Sequence, residues 1–277
     1  MIADDPRRCP YEPMDVGDAR PFVLRAFRSF GHRAVRVGAP RTDKRLAVIV
    51  PYRHRAEHLR QFLPSMTEHL DEAGIEGRIF VVQQADRGLF NKGLLMNAGF
   101  QLAGSEFDYF CFHDVDHLPV TAGYEYVEHP VSLANALAEG HAGYFGGVLL
   151  MTREHFELVN GFGNEYWHWG WEDEDMRVRC LISGLTPLVY PAADYVRLAH
   201  PPSVTRTPDG VYHDSRKVLS RLYATERRSI RAFLDFAKGR TRLEDNGLNT
   251  ARYAHLGTVE TDSHTRFDVT PRAESIH

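Results

Sequence analysis

The chain has 277 residues, 43% of them hydrophobic, which fills the core of one large α/β domain or two small ones and excludes a disordered chain or a disulfide-stapled miniprotein. Thirty-three Lys plus Arg against 37 Asp plus Glu give a net charge near -4, so no global basic field recruits nucleic acid or anionic lipid. Any phosphate must therefore be held by a local constellation, and four lysines among many arginines suit bidentate contacts, although genomic base composition would give the same skew.

The first 43 residues mix Pro, Arg and Gly around one apolar patch, residues 21–30, and read as an irregular N-terminal extension. From Leu46 the texture changes: residues 46–50 form a continuous apolar run stopped by Pro51, the pattern of a strand buried on both faces. Residues 56–70 then place Leu59, Phe62, Leu63, Met66 and Leu70 at helical spacing, with Pro64 predicting a kink or an early break. The alternation repeats with a strand over 78–82, a helix over 92–102, and a strand over 108–112 that ends in His113-Asp-Val-Asp116. Beyond Pro119 a short helix is expected at 131–138, a strand with paired glycines at 144–151, and a short helix at 153–160. A glycine- and aromatic-rich loop (161–171), a helix opened by carboxylates (172–183) and a strand at 187–190 lead to His200. An amphipathic helical stretch over 218–237 and a polar tail over 246–277, with strand character near Phe267, complete the chain. Strands alternating with helices imply a mostly parallel, Rossmann-like α/β sheet whose ligands lie at the carboxyl ends of the strands.

Cys9, Cys111 and Cys180 are odd in number and form no CxxC pair, so they suggest neither a disulfide framework nor a zinc knuckle. No run reaches the length of an integral membrane segment, and the polar, acidic start is unlike a signal peptide. A soluble cytoplasmic protein is expected; a catalytic fragment of a secretory-pathway enzyme would look the same.

Three constellations carry chemistry. Asp114 and Asp116 at a strand end can place one acid on a divalent cation and the other on a sugar hydroxyl, hard oxygen donors favouring Mg or Mn over zinc; a solvated turn carries the same pattern. After the first strand, Arg53 and Arg55 share a side in extended chain and can grip a diphosphate, with Pro51 fixing the turn; two solvated arginines before a helix are the plainer reading. Tyr166, Trp167, Trp169 and Trp171 offer flat surfaces for sugar rings, and Glu172 and Asp173 follow them, placed to accept a proton from an acceptor hydroxyl. Those carboxylates also suit a first helical turn, where Asp173 and Arg177 make an i,i+4 pair.

Together the motifs Val48-Ile-Val-Pro-Tyr-Arg-His-Arg55, Phe90-Asn-Lys92, Phe112-His-Asp-Val-Asp116, Tyr144-Phe-Gly-Gly147, Asn160-Gly-Phe162, Tyr166-Trp-His-Trp-Gly170 with Glu172-Asp173, and Gly247-Leu-Asn249 resemble, in order, those of the β-1,4-galactosyltransferase family. The resemblance implies a GT-A glycosyltransferase fold, a UDP-galactose donor, a glycan acceptor, a Mn ion for which Mg can stand in, and inversion at the anomeric carbon, in a soluble, bacterial-type member. It implies that Pro51, Arg53, Arg55, Phe90 and Lys92 contact the uridine diphosphate and that Asp114 and Val115 hold the donor. Asp116 and His200 would ligate the metal. Gly147 and Trp169 would flank donor and acceptor, with Trp169 on a closing loop, while Tyr144 favours galactose over the N-acetylated sugar. Asp173 would be the base, with Glu172 beside it.

Two departures stand out. A second metal ligand is expected three or two residues before His200, but those positions are Arg197 and Leu198, leaving His213 or water as candidates. His168 replaces a glycine, and Trp171 stands where glycine or a basic residue is expected, so the closing loop is expected to be stiffer and the acceptor pocket different. The expected organisation is an extension over 1–43, a catalytic domain over 44–260 with an enlarged helical segment at 203–240, and a tail over 261–277. That segment reads as a helix packed on the domain with a solvated basic face, or as an acceptor or peripheral membrane platform. Competing functions are transfer from a UDP-N-acetylhexosamine by the same fold and a non-catalytic carbohydrate-binding protein.

Overall fold

The apolar run that begins at Leu46 forms the centre of the sheet. In the computed structural model, which describes residues 43–134, 145–168, 170–189, 195–199 and 216–272, β1 (Leu46–Tyr52) is buried at every position. Successive side chains of a strand face opposite ways: Leu46, Val48 and Val50 enter one core, Ala47 and Ile49 the other. After β1 come α1 (Ala56–Glu72), β2 (Gly77–Gln84), α2 (Lys92–Leu102), β3 (Tyr109–His113), β4 (His117–Pro119), β5 (Val131–Ser132), β6 (Val148–Thr152) and α3 (Arg153–Leu158). The remaining elements are α4 (Glu172–Ile182), β7 (Leu188–Val189), β8 (Tyr195–Arg197), α5 (Arg216–Ala237), β9 (Tyr253–Glu260) and β10 (His264–Pro271), with two short 3-10 turns between α5 and β9.

One sheet has the order β7-β5-β6-β3-β1-β2-β10-β9, and β4 pairs separately with β8. The pairs β1–β2, β1–β3, β2–β10 and β5–β7 are parallel, whereas β6 and β9 run antiparallel to their neighbours. Phe62, Met66 and Leu70 of α1 pack on one face, and Leu95, Met96, Ala98 and Phe100 of α2 on the other, giving a three-layer α/β domain. Gly99 is what lets α2 lie so close, because a Cβ there would overlap Ile49 and Val82.

Four expectations are corrected. Pro64 neither breaks nor shortens α1: its ring is exposed, and the buried stripe Phe62, Met66 and Leu70 spans it, offsetting one missing backbone hydrogen bond. The helix expected from 131 is a strand at Val131–Ser132, buried between β6 and β7; residues 135–138 lie outside the described set. The strand expected from residue 144 begins at Val148, because Gly147 has φ 77°. The tail over 261–277 contributes β10, an internal strand between β2 and β9, so the sheet runs to Pro271 rather than stopping at 260. The expected extension over 1–43 lies, apart from residue 43, outside the described residues.

In the enlarged segment, α5 turns Phe233, Phe236 and Ala237 into a core with Tyr166 and Val178, while Arg227, Arg228 and Arg231 are exposed. Its described apolar stripe is thus covered by the domain, which favours the packed-helix reading over the membrane platform. Among the described residues no helix is long and apolar enough to cross a membrane.

Candidate active site

The chain leaves β1 through α1 to β2 on one side, then crosses back through α2 to β3 on the other side of β1. Between β1 and β3 the crossovers diverge, and a crevice at the carboxyl ends of such strands is where open α/β sheets bind ligands. The β1–β3 pairing stops at Ile49↔Phe112, while β1–β2 continues to Tyr52↔Gln83. Pro51, which has no N–H to donate, stands where the two strands part.

Across this crevice Arg55 Nη1 lies 2.9 Å from Asp116 Oδ2. Arg53 turns elsewhere, donating to Gly88 O at 2.6 Å with its guanidinium 5.2 Å from the Phe90 ring centre. The expectation that the two arginines share a side is corrected, because His54 has φ 52° and the extended alternation ends before Arg55. Asp114 is set by its N–H to Gly147 O (2.7 Å), and Val115 is buried beside it. The buried His113 braces this turn: Nδ1 lies 2.9 Å from Asp114 O, and Nε2 lies 2.8 Å from the Tyr124 hydroxyl. Burial pushes the His113 pKa down to about 3, so the ring is neutral.

Lys92 opens α2 behind Asn91, whose side chain accepts from Leu94 N (2.9 Å) and donates to Asn164 O (2.7 Å). Its Nζ stands 3.2 Å from Asp114, 3.3 Å from Glu172 and 3.3 Å from Asp173. Lys92 thus stands apart from Arg53 and Arg55 here, its ammonium gathering three carboxylates. Burial, then repulsion from Asp173, raise the Glu172 pKa to about 7 against the opposing charge of Lys92. Burial also raises that of Asp114, with Lys92 opposing it and Asp116 adding to it.

A raised carboxyl pKa stabilises the fold below the unfolded value and loses that contribution as pH rises through the folded value. Between the ordinary 4.5 and about 7, the metal-free protein is expected to lose up to roughly 3 kcal/mol through Glu172. Thermal unfolding of Glu172→Gln followed from pH 4 to 8 checks this: the variant should be flatter than the parent, and parallel curves would disprove it.

The aromatic loop is only in part a platform. Tyr166 is buried, with its hydroxyl 2.9 Å from Asp175, and Trp171 packs 5.1 Å from Phe233, centre to centre. Trp167 is half-buried. His168, Gly170 and Trp171 all have positive φ, and His168 N donates to Phe90 O at 2.6 Å, tying the loop to the crevice. Of the first-turn carboxylates, Glu174 lies 2.6 Å from Arg177 and Asp173 lies 3.3 Å from Lys92. Tyr144, Trp169, His200 and His213 lie outside the described residues.

For a metal, Asp114, Asp116 and His117 each bring one ligand atom within 4.8 Å of the others. Two carboxylates and an imidazole fit a first-row divalent ion such as Mn. Sequence reasoning passed over His117 and His113, although both flank the Asp-x-Asp motif.

Residues 36–127 match the model of the N-terminal region of glycosyl transferase group 7, and residues 135–201 match that of the N-terminal domain of galactosyltransferase. Among curated relatives, β-1,4-galactosyltransferase 7 of Drosophila melanogaster is 42% identical over 149 residues, 51% of this chain and 46% of the relative. A β-N-acetyl-D-glucosaminide β-1,4-N-acetylglucosaminyl-transferase of Lymnaea stagnalis is 37% identical over 161 residues, 54% of this chain and 32% of the relative. The chain thus spans less than half the length of these relatives. A crystal structure of a mutant of the Drosophila β-1,4-galactosyltransferase 7 in complex with manganese, UDP-Gal and xylobiose matches with TM-score 0.67 and 29% identity, over 83% of this chain and 95% of that one. These are animal proteins and lend no support to a bacterial-type member.

Proposed function

Because the chain belongs to glycosyl transferase group 7 and has the GT-A fold, we propose that it transfers galactose from UDP-galactose, with inversion and in a metal-dependent manner, to a hydroxyl of a glycan acceptor, forming a β-1,4 linkage. The observation that carries this reading is the convergence at one crevice of Asp114 and Asp116 from β3 with Glu172 and Asp173 from α4, gathered by Lys92 and Arg55. The acceptor oxygen attacks the anomeric carbon from the face opposite the diphosphate; its proton passes to the Asp173 carboxylate, and UDP leaves with the bonding electrons. Glu172, buried beside it, holds acceptor or donor hydroxyls. Phe90 under the Arg53 guanidinium walls the slot for the uracil; Asp116 would hold the divalent ion, and Arg55, beside it, would contact the diphosphate. When bound, the divalent ion neutralises charge developing on the departing diphosphate. Tyr144, Trp169 and His200 keep their expected roles within this proposal.

The xylobiose bound by the fly enzyme makes a β-xyloside the first acceptor to assay. A second reading, transfer from a UDP-N-acetylhexosamine, is favoured by the snail relative. Incubating the purified chain with Mn and UDP-galactose, UDP-glucose or UDP-N-acetylhexosamines over an acceptor array decides between them. Preferential release of UDP from UDP-galactose, with a β-1,4 product by NMR, is expected; preference for another sugar nucleotide overturns the donor assignment.

A further inference from the structure

We infer that His117 is itself a ligand of the divalent ion, its imidazole completing a donor set with Asp116 and Asp114; this rests on the metal-dependent reading of the site above. In an extended chain Asp114 and Asp116 share a side and His117 points away from them. The chain is not extended here: His117 N–H closes a turn onto Asp114 O at 3.3 Å, bringing the ring back over the two carboxylates. As a result Nδ1 lies 2.9 Å from Asp116 Oδ1. That separation suits a shared proton, and it equally suits two neighbouring ligands at right angles on an octahedral ion with bonds of about 2.1 Å, which lie about 3 Å apart.

The ring is clamped rather than free to swing. Tyr195 meets it edge-on at 5.8 Å between centres, and Gly147 faces its other end, where a Cβ would already stand 3.5 Å from Cε1 and Nε2. The backbone is held as well, because His117 pairs with Arg197 across the β4–β8 ladder and Leu198 N–H donates to Asp116 O at 2.8 Å. Opposed residues on an antiparallel pair project from the same face. Arg197 and Leu198 occupy the positions where a second ligand was expected and offer none, and His117 enters at the level of Arg197 from the opposite strand. An imidazole is a neutral donor that first-row divalent ions accept, so the set gains a ligand without adding a third negative charge beside the diphosphate.

The test uses the full chain stripped with EDTA and titrated with Mn alone, free Mn being read by electron paramagnetic resonance. His117→Gln should weaken Mn binding by at least ~10-fold, the scale on which even indirect support of a metal ligand is felt. Pulsed measurement of nitrogen hyperfine coupling on a His200→Ala chain removes dependence on any His117 variant: coupling to nitrogen should persist there and vanish in His117→Gln/His200→Ala. Unchanged Mn affinity in His117→Gln, or loss of all nitrogen coupling in His200→Ala alone, overturns the assignment of His117 and leaves the galactosyltransferase reading standing. Absence of Mn binding to the parent chain, with or without UDP, overturns both.

Discussion

A chain carrying Asp173→Asn is expected to transfer galactose on the order of 10²- to 10⁴-fold more slowly than the parent, the range a positioned general base supplies, while binding UDP within a few-fold of it. Asp173 sits in the first turn of α4 with Lys92 Nζ at 3.3 Å. Asparagine keeps the shape and still offers an oxygen to Lys92, so the constellation survives; what is lost is the capacity to take a proton. Glu172 is the neighbour able to substitute, since burial and the Asp173 charge hold its pKa near 7. Removing the Asp173 charge relieves part of that shift. Rate measurements under saturating donor, with UDP affinity by calorimetry alongside, separate base from binding: equal turnover transfers the role away from Asp173, and a residual rate abolished by adding Glu172→Gln assigns the remainder to Glu172.

Replacing Arg179 by Met is expected to have the largest effect on stability, about 3–5 kcal/mol, because it strips a buried carboxylate of its partner. Arg179 is 1% exposed and contributes to four contacts: Nε to Asp175, Nη2 to Asn246 O at 2.7 Å, Nη1 to Val159 O at 3.4 Å, and the guanidinium over Phe236 at 4.9 Å. Asp175 also accepts from the Tyr166 hydroxyl at 2.9 Å. One side chain thus fastens α4 to α5 and to the turn before β9, and with it the platform from which Glu172 and Asp173 project. A fall in Tm of roughly 10 °C by circular dichroism is the expected reading for a domain of this size. Adding Asp175→Asn should recover part of it by removing the stranded charge, whereas a drop under roughly 2 °C would mean the network carries little.

The sheet centre was legible because its strands are buried on both faces and therefore read as unbroken apolar runs, as in Leu46 to Val50. The strand β10 was harder to read because its burial alternates, with Thr265, Phe267 and Val269 inward and polar residues between. Alternation of that kind is the signal of a half-covered strand, and here it marks an internal one whose polar face is only partly covered. The helix α1 resisted its own proline because packing along one stripe outweighs one lost hydrogen bond. At the site, the residue types were readable and their partners were not. The arginines after β1 diverge through a single positive φ at His54, and Trp171 belongs to a core with Phe233 rather than to an open sugar platform.

Composition and motif order alone determined that the chain is a mostly parallel α/β protein, and singled out the acidic pairs Asp114–Asp116 and Glu172–Asp173 as the candidates for its chemistry. Those properties are local, since strand burial and residue chemistry are written in neighbouring positions. The net charge near -4 demanded a local phosphate grip, and its apparent parts were Arg53, Arg55 and Lys92. Folding redistributed them: Lys92 went to three carboxylates, Arg55 to Asp116, and Arg53 to Phe90. These pairings join residues from 22 to 81 positions apart, beyond the reach of helix or strand spacing. Burial then brings like charges close enough that cations must be drawn in among them.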